Sequence, residues 1–349
     1  MAVALSGGVD SSVAAALLVQ QGADVIGVTL VLWSDGDPAS GPIARARHTA
    51  ELLRIPFHLI DARAPFRALV VDYFVREYAE GKTPNPCVHC NRLVKFGLLL
   101  DQARGLGTAR LATGHYARVR QVDGRWELLR GVDRNRDQSY FLHALDQSQL
   151  ARCAFPVGAL TKEHVRTLAR ELGLPAANAE ESQDICFLAH GDYRPFLARE
   201  APGVLRPGPI LDTDGRVLGQ HQGLASYTVG QRKGLGISAS APLYVVSILP
   251  AKNELVVGTK EALRRDGCRV EQMRYVSGSP PGTSFRAAAQ VRYRSRPVAV
   301  TVEHASPGEA QVHFDAPQSA VAPGQFLVLY DDEMVLGGGV ICERQQSVL

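Results

Sequence analysis

The stretch "SGGVDSS", Ser6–Ser12, decides the fold. It joins "VAL" (residues 3–5), which reads as a short buried strand, to "VDSSVAAALLVQQG" (9–22), which reads as a helix ending at Gly22. "DVIGVTLVL" (24–32) then reads as a second strand. Together they make a βαβ unit whose continuous apolar strands fit a parallel sheet covered on both faces. At such a strand-to-helix junction, unpaired backbone N–H groups and the positive helix end are suited to hold an anion. Gly7 and Gly8 let the backbone approach phosphate closely, while Ser6, Ser11 and Ser12 offer hydroxyls. The Gly-Lys-Ser/Thr of a Walker A loop is absent, so nothing here calls for γ-phosphate transfer. The plainer reading is a Gly-Gly turn with Asp10 or Ser11 capping the helix.

Outward from this unit, "ARARHTAELLR" (44–54) continues as helix, and "IPFHLID" (55–61) and "ARLATG" (109–114) as strands. The alternation predicts a doubly wound α/β domain. Two more helices are expected over 137–153 and 161–173, the second with Thr161 as N-cap and Gly173 beyond its end. Pro202, Gly203, Pro207, Gly208 and Pro209 then punctuate a linker. Beyond it the helical period disappears. Residues 243–258 read as a hairpin, and 285–295, 298–305, 310–316 and 325–341 as short strands, which predicts a small β-barrel. The expected organisation is an α/β nucleotide-binding and catalytic domain at 1–198, a small β-rich central domain at 199–265 and a C-terminal β-barrel at 266–349.

The chain has 349 residues, 46% hydrophobic and 21% charged, with a formal net charge of +3. This is a globular composition whose charge neither demands nor excludes nucleic acid. The start of the chain lacks the charged flank and apolar run of a signal peptide, and no segment has the apolar length of a membrane span. A cytoplasmic protein with no membrane partner is expected. Six cysteines in so long a chain do not form a disulfide framework, and a reducing compartment favours free thiols, catalysis or metal binding.

Three of them raise chemical questions. "TPNPCVHCN" (83–91) sets Cys87 and Cys90 in a turn-rich segment running into the helix-like "NRLVKFGLLLDQA", and Cys186 lies far downstream in "ESQDICFL". With His89 or His115 as a fourth ligand these thiols would suit structural zinc. Thiol chemistry is the alternative: Cys90 precedes a helix whose dipole lowers a thiol pKa, and His89, Arg92 and Lys95 add positive character. Cys153, Cys268 and Cys342 look like small buried hydrophobes.

Taken alone, "SGGVDSS" resembles the diphosphate-gripping loop of adenylating PP-loop ATPases, which split ATP between the α- and β-phosphates. In order along the chain, that loop, "EYAEGKTPNPCVHCN", "ATGHYARV", "DQSYFL", "DICF", "GLASYTVGQRKGLGI", "VRYRS", "PGQFLVLYD" and "LGGGVI" resemble the bacterial tRNA-specific 2-thiouridylases over nearly the whole length. The resemblance implies ATP and Mg2+ as cofactors, tRNA as substrate and a persulfide-donating protein as partner. It implies adenylation of the C2 oxygen of the wobble uridine, followed by sulfur transfer that releases AMP. Cys90 is then the nucleophile and Cys186 the persulfide carrier, with a transient disulfide between them. ATP contacts fall on Ala4, Leu5, Ser6, Gly7, Gly8, Val9, Asp10, Ser11, Leu30 and Gly114, and target-base contacts on Asn85, Pro86 and Cys87. Other tRNA contacts fall on His115, Arg136, Asp137, Gln138, Arg292, Tyr293 and Gln325.

Each has a plainer reading. His115 also suits a hydrogen-bonded core histidine, and "DQSY" a helix cap. Arg292, Arg294 and Arg296, alternating along a strand with Tyr293 between, suit either a solvated face or a phosphate-and-stacking surface. Arg232 and Lys233 add charge on a Gly-rich loop. Many relatives carry Asp where this chain has Cys87, which leaves a second mechanism open: Cys87, Cys90 and Cys186 as a three-thiolate corner for an iron-sulfur cluster. Rival readings are an adenylating lysidine or argininosuccinate synthetase, which needs no cysteine pair, and a zinc-clasped RNA-binding module.

Overall fold

A computed structural model of the chain describes residues 1–33, 41–177, 185–188 and 192–342. Five parallel strands make the first sheet, in the order Phe57–Asp61, Ile26–Val31, Ala2–Ala4, Leu111–Ala112, Cys153–Ala154. The chain winds outward from Ala2–Ala4 in one direction, then crosses back and winds outward in the other. That reversal leaves a crevice beyond the carboxyl ends of Ala2–Ala4 and Leu111–Ala112, where open α/β sheets bind their ligands. Residues 6–12 leave the first of these strands and residues 113–115 the second, so topology alone brings them together. The helix Val9–Gln20 follows the loop and is buried along most of its length, its alanines allowing close packing. Thr161 caps Lys162–Glu171 through a bond from the His164 N–H at 3.2 Å, and Gly173 (φ 61°) ends that run.

The helix expected over 137–153 is broken. Ser139–Leu142 forms a 3-10 turn and Gln147–Leu150 a single α turn. The reason lies in two aspartates whose side chains compete with the helix for backbone N–H groups. Asp137 accepts from the N–H groups of Gly131 and Ser139, both at 3.0 Å, and Asp146 forms a capping box with Gln149.

A second sheet holds Tyr244–Leu249, Glu254–Gly258, Gly208–Leu211 and Val217–His221 in that order. The hairpin over 243–258 is antiparallel, and Gly208–Leu211, from the proline-rich linker, joins it as a strand. Six strands, Arg265–Tyr275, Glu309–Gln318, Val298–Ser306, Ser284–Gln290, Phe326–Asp331 and Met334–Cys342, then close into a barrel through pairing of the first with the last. One expected strand falls short: it ends at Gln290, and residues 291–294 turn, with Arg294 at φ 64°. The Gln290 side chain donates to the Ser295 carbonyl at 2.7 Å and closes this loop, so Arg292, Arg294 and Arg296 do not alternate along a strand.

The α/β part and the barrel share a core. One apolar cluster contains Ala2 and Val28 from the parallel sheet, Val88, Phe96 and Leu99 from residues 86–105, and Phe326, Val328 and Tyr330 from the barrel. The hairpin Ala117–Val122 and Arg125–Arg130, unmarked in the sequence reading, extends the barrel sheet through Leu129 and Met334. Among the described residues no helix is long and apolar enough to cross a membrane.

The barrel also grips the segment ahead of the thiols. The Thr83 N–H donates to the Pro323 carbonyl at 2.9 Å, and Gln325 Nε2 donates to the Thr83 carbonyl at 2.7 Å. Between them Gly324 has φ 86°, and a Cβ there would lie 2.9 Å from the Thr83 nitrogen. Gly324→Val therefore combines backbone strain with a clash and should cost about 1–3 kcal/mol. Thermal melting checks this, and an unchanged midpoint would show that the turn does not clamp Thr83.

Candidate active site

The nucleotide half is built from backbone. Gly7 takes φ 73°, and a Cβ on it would lie 2.0 Å from the Pro42 carbonyl oxygen, so only glycine fits. Ser11 Oγ accepts from the Ser6 N–H at 3.1 Å and donates to the Gly8 carbonyl at 3.0 Å, which pins the loop's shape. Gly114 abuts the loop, its missing Cβ falling 2.6 Å from the Ser11 nitrogen. Leu5, Val9 and Ser11 are buried, and Ala4 and Leu30 are half-buried at the strand ends. The residues assigned to ATP from the sequence thus lie in the loop, at the start of its helix, and at or just beyond the carboxyl ends of the neighbouring strands.

Two cations that the sequence reading did not single out reach the same loop. Arg45 Nε donates to the Gly7 carbonyl at 3.0 Å. Lys162 Nζ, from the first turn of Lys162–Glu171, lies 2.7 and 2.8 Å from the two carboxylate oxygens of Asp10, and Tyr116 donates to Asp10 at 2.8 Å. Their signal was faint, since a lysine after an N-cap threonine looks like an ordinary exposed helix start. Backbone N–H groups with flanking cations suit a diphosphate. A Mg2+ ion carried on phosphates needs only one or two carboxylates, and Asp10 is the one this loop offers.

The thiol half sits on a continuous helical run over 86–105. Asn85 caps it by accepting from the Cys87 N–H at 3.2 Å, and Pro86 takes the first position, where no N–H is needed. Cys87 is therefore in the first turn and Cys90 one turn inside, not ahead of the helix. The run is π-helical over Cys90–Leu99, and i→i+5 winding stacks Lys95 one turn above Cys90.

Burial outweighs the helix dipole here. It pushes the Cys90 thiol above its ordinary value and the Cys87 thiol up to about 11, with Lys95 pulling both back. His89 adds no charge: desolvation, then Arg92 and Arg76, hold it down to about 4, and its ring stacks on Tyr73 at 3.8 Å. Cys90 packs in an apolar cluster with Phe66, Phe74, Phe187 and Phe196, and Ile185 and Leu188 lie against that cluster. The neighbouring Cys186 is exposed as a residue. Its thiol is nevertheless set up at about 12, first by desolvation and then by the nearby sulfurs of Cys90 and Cys87. Leu30, Leu32 and Trp33, at the carboxyl end of the second strand, border the same cluster, so the thiols stand beside the nucleotide crevice.

The iron-sulfur expectation is not supported. Among the described residues no three His, Cys, Asp or Glu side chains converge to hold a metal. Cys87, Cys90 and Cys186 are electrostatic neighbours without forming such a group.

The remaining residues sit as follows. His115 is buried, bonded to Thr113 Oγ1 at 2.7 Å and flanked by Phe96 and Phe155, between the loop and the thiol helix. Asp137 and Gln138 fold inward, Gln138 Oε1 accepting from the Tyr116 N–H at 3.0 Å, while Arg136 lies within electrostatic range of Tyr116. Arg292 is exposed, and Tyr293 leans on Phe141 with ring centroids 4.3 Å apart. Gln325 holds Thr83.

Parallel sheet, diphosphate-type loop and paired thiols define a nucleotide-using enzyme of the HUP-domain class. The tRNA methyl transferase HUP domain matches residues 1–190, the tRNA methyl transferase PRC-barrel domain 194–259, and the aminomethyltransferase beta-barrel domain 265–341. The chain is 50% identical over 352 residues to tRNA-specific 2-thiouridylase MnmA of Chloroflexus aurantiacus, covering 98% of each. It is 48% identical to the protein of that name from Moorella thermoacetica and 47% to that from Roseiflexus sp., covering 97% of this chain and 98% of theirs in both cases. The chain belongs to the tRNA-specific 2-thiouridylase family.

Lys95 should govern thiol reactivity. Lys95→Met removes the cation that favours thiolate, so the Cys90 pKa rises and alkylation by iodoacetamide moves to higher pH; an unshifted rate-pH curve would remove Lys95 from this role. Acid should also destabilise the fold. His89 and His143 are held at about 4 by burial, so below their unfolded value of about 6.5 the unfolded chain binds more protons than the folded one. Stability falls as pH drops from about 6.5 towards 4, at up to about 1.4 kcal/mol per pH unit for each histidine. Denaturant melts of wild type and His143→Gln check this, the variant showing the shallower dependence.

Proposed function

We propose that the protein is a tRNA-uridine 2-sulfurtransferase acting in the cytoplasm on the wobble uridine. The C2 oxygen of the base attacks the α-phosphorus of ATP, and diphosphate leaves into the loop Ser6–Ser11 beside Arg45 and Lys162. The adenylated C2 is then attacked by the terminal sulfur of a persulfide on Cys186, and AMP leaves. Cys90 thiolate attacks Cys186 Sγ, the S–S bond to the transferred sulfur breaks, and 2-thiouridine is released with a Cys90–Cys186 disulfide. A dithiol reductant restores the thiols, and a donor protein reloads Cys186 with sulfur.

The observation that carries this reading is the single apolar cluster in which Cys90 meets the segment bearing Cys186, bordered by Leu30 from the nucleotide crevice. An adenylating enzyme that forms amides has no use for two thiols there. Asn85, Pro86 and Cys87 contact the base in this scheme, since they start the helix that carries Cys90. Exposed Arg292 and the Tyr293 ring beside Phe141 supply further tRNA contacts, with Arg136, Asp137, Gln138, His115 and Gln325 ordering the surfaces behind them.

Nucleoside analysis of tRNA tests the reading. A strain lacking the protein should lose wobble 2-thiouridine, and neither Cys90→Ser nor Cys186→Ser should restore it, while tRNA-dependent exchange of diphosphate into ATP survives in both variants. Thiolation persisting in the deleted strain would end the proposal.

A further inference from the structure

Some arginines of the barrel and its attached hairpin have acidic partners: Arg118 meets Glu333 at 2.7 Å, Arg269 meets Glu309 at 2.9 Å, and Arg286 pairs with Asp315. Arg92 and Arg274 differ. They line one cavity of about 20 Å³ between the thiol helix and the barrel, together with His89, His143 and Phe326. Among the described residues neither forms an ion pair. Desolvation and then Arg274 push the Arg92 guanidinium down from its usual value, and Asp146 is the acid that opposes this from a distance.

The barrel turns Arg274 towards this cavity at a cost. The register between Arg265–Tyr275 and Met334–Cys342 slips between Glu271 and Arg274, and Gln272, in that bulge, takes φ 53°. Bulges re-aim side chains, and a non-glycine residue in left-handed backbone costs about 1–3 kcal/mol. Both histidines are held neutral, so they neither add charge nor balance it. A half-buried Arg92 beside the exposed Arg274 at the same cavity, with no ion-paired acid for either, favours an incoming anion.

We propose that Arg92 and Arg274 clamp one backbone phosphodiester of the substrate RNA across the interface between the thiol helix and the barrel. This rests on the tRNA reading above and specifies where that RNA is held. The cavity has room for about one water-sized group, which suits a single non-bridging phosphate oxygen entering from its mouth better than a whole free anion. Arg92 lies two residues beyond Cys90 on a different face of the same helix, so the clamp holds RNA beyond the nucleotide offered to the thiols. The entering oxygen can accept one N–H from each guanidinium, and the phosphate's second non-bridging oxygen stays at the mouth.

The test is tRNA binding by wild type, Arg274→Gln, Arg92→Gln and the double variant across a salt series, with melting curves alongside. Each single variant should bind tRNA several-fold more weakly, and the slope of log affinity against log salt should flatten by about one unit per arginine. Arg274→Gln, at an exposed position, should melt no lower than wild type because it relieves a repulsion. Unchanged affinity and slope in Arg274→Gln would overturn the clamp. So would intact tRNA binding with lost sulfur uptake from a persulfide-bearing donor protein, which would assign the arginines to a protein carboxylate. Wild-type protein that fails to bind tRNA would overturn the parent reading and the clamp with it.

Discussion

Burial of residues 86–105 between the parallel sheet and the barrel is the constraint on which the active site depends. Val88, Phe96 and Leu99 on this helix touch apolar residues of both bodies, so the helix is held from two sides and its thiols cannot drift. The same burial sets their chemistry. A thiol taken out of water is harder to ionise, and both Cys87 and Cys90 respond in that direction. Lys95 opposes the effect, and π-helical winding is what brings its residue over Cys90, where an α-helix would carry position i+5 round to another face. A thiol kept mostly protonated is less exposed to adventitious oxidation.

The nucleotide loop is organised by an opposite principle. The Ser6 N–H, the Gly7 and Gly8 carbonyls and the Asp10 carboxylate are held within the loop or by Lys162, Tyr116 and Arg45, so it is shaped before any ligand arrives. Breaking a buried ion pair typically costs about 3–5 kcal/mol, and Lys162 with Asp10 lies below that range because Asp10 keeps solvent contact. The ammonium therefore serves a structural bond that orders the loop. His115 links the two halves, following Gly114 at the loop and touching Phe96 on the thiol helix.

The barrel belongs to this machinery because it shares a core with the α/β part. Its turn at residues 322–326 holds Thr83, its strands cover the thiol helix, and its bulge at residues 271–274 faces Arg92. An apolar interface of this kind resists relative motion of the parts it joins. A tRNA loop resting across it would meet one surface instead of two independent ones.

Much of this was legible from residues alone. Strand, Gly-Gly turn and alanine-rich helix at residues 3–22 are local signals, and they determined the βαβ unit, the loop and its anion-binding character. Alternating strands with glycine and proline turns determined the barrel, and Cys90 and Cys186 stood out because their motifs are short and rich in chemistry. Other features depended on distant partners. Asp137 breaks a helical pattern because Gly131 and Ser139 N–H groups compete for it, and Gln290 ends a strand by capturing Ser295. Lys162 reaches the glycine loop because the fold brings it to Asp10, far away in sequence. The ionisation of Cys90, His89 and Arg92 was likewise decided by tertiary structure, since a helix dipole can be inferred from local sequence, whereas desolvation depends on everything that packs around a group.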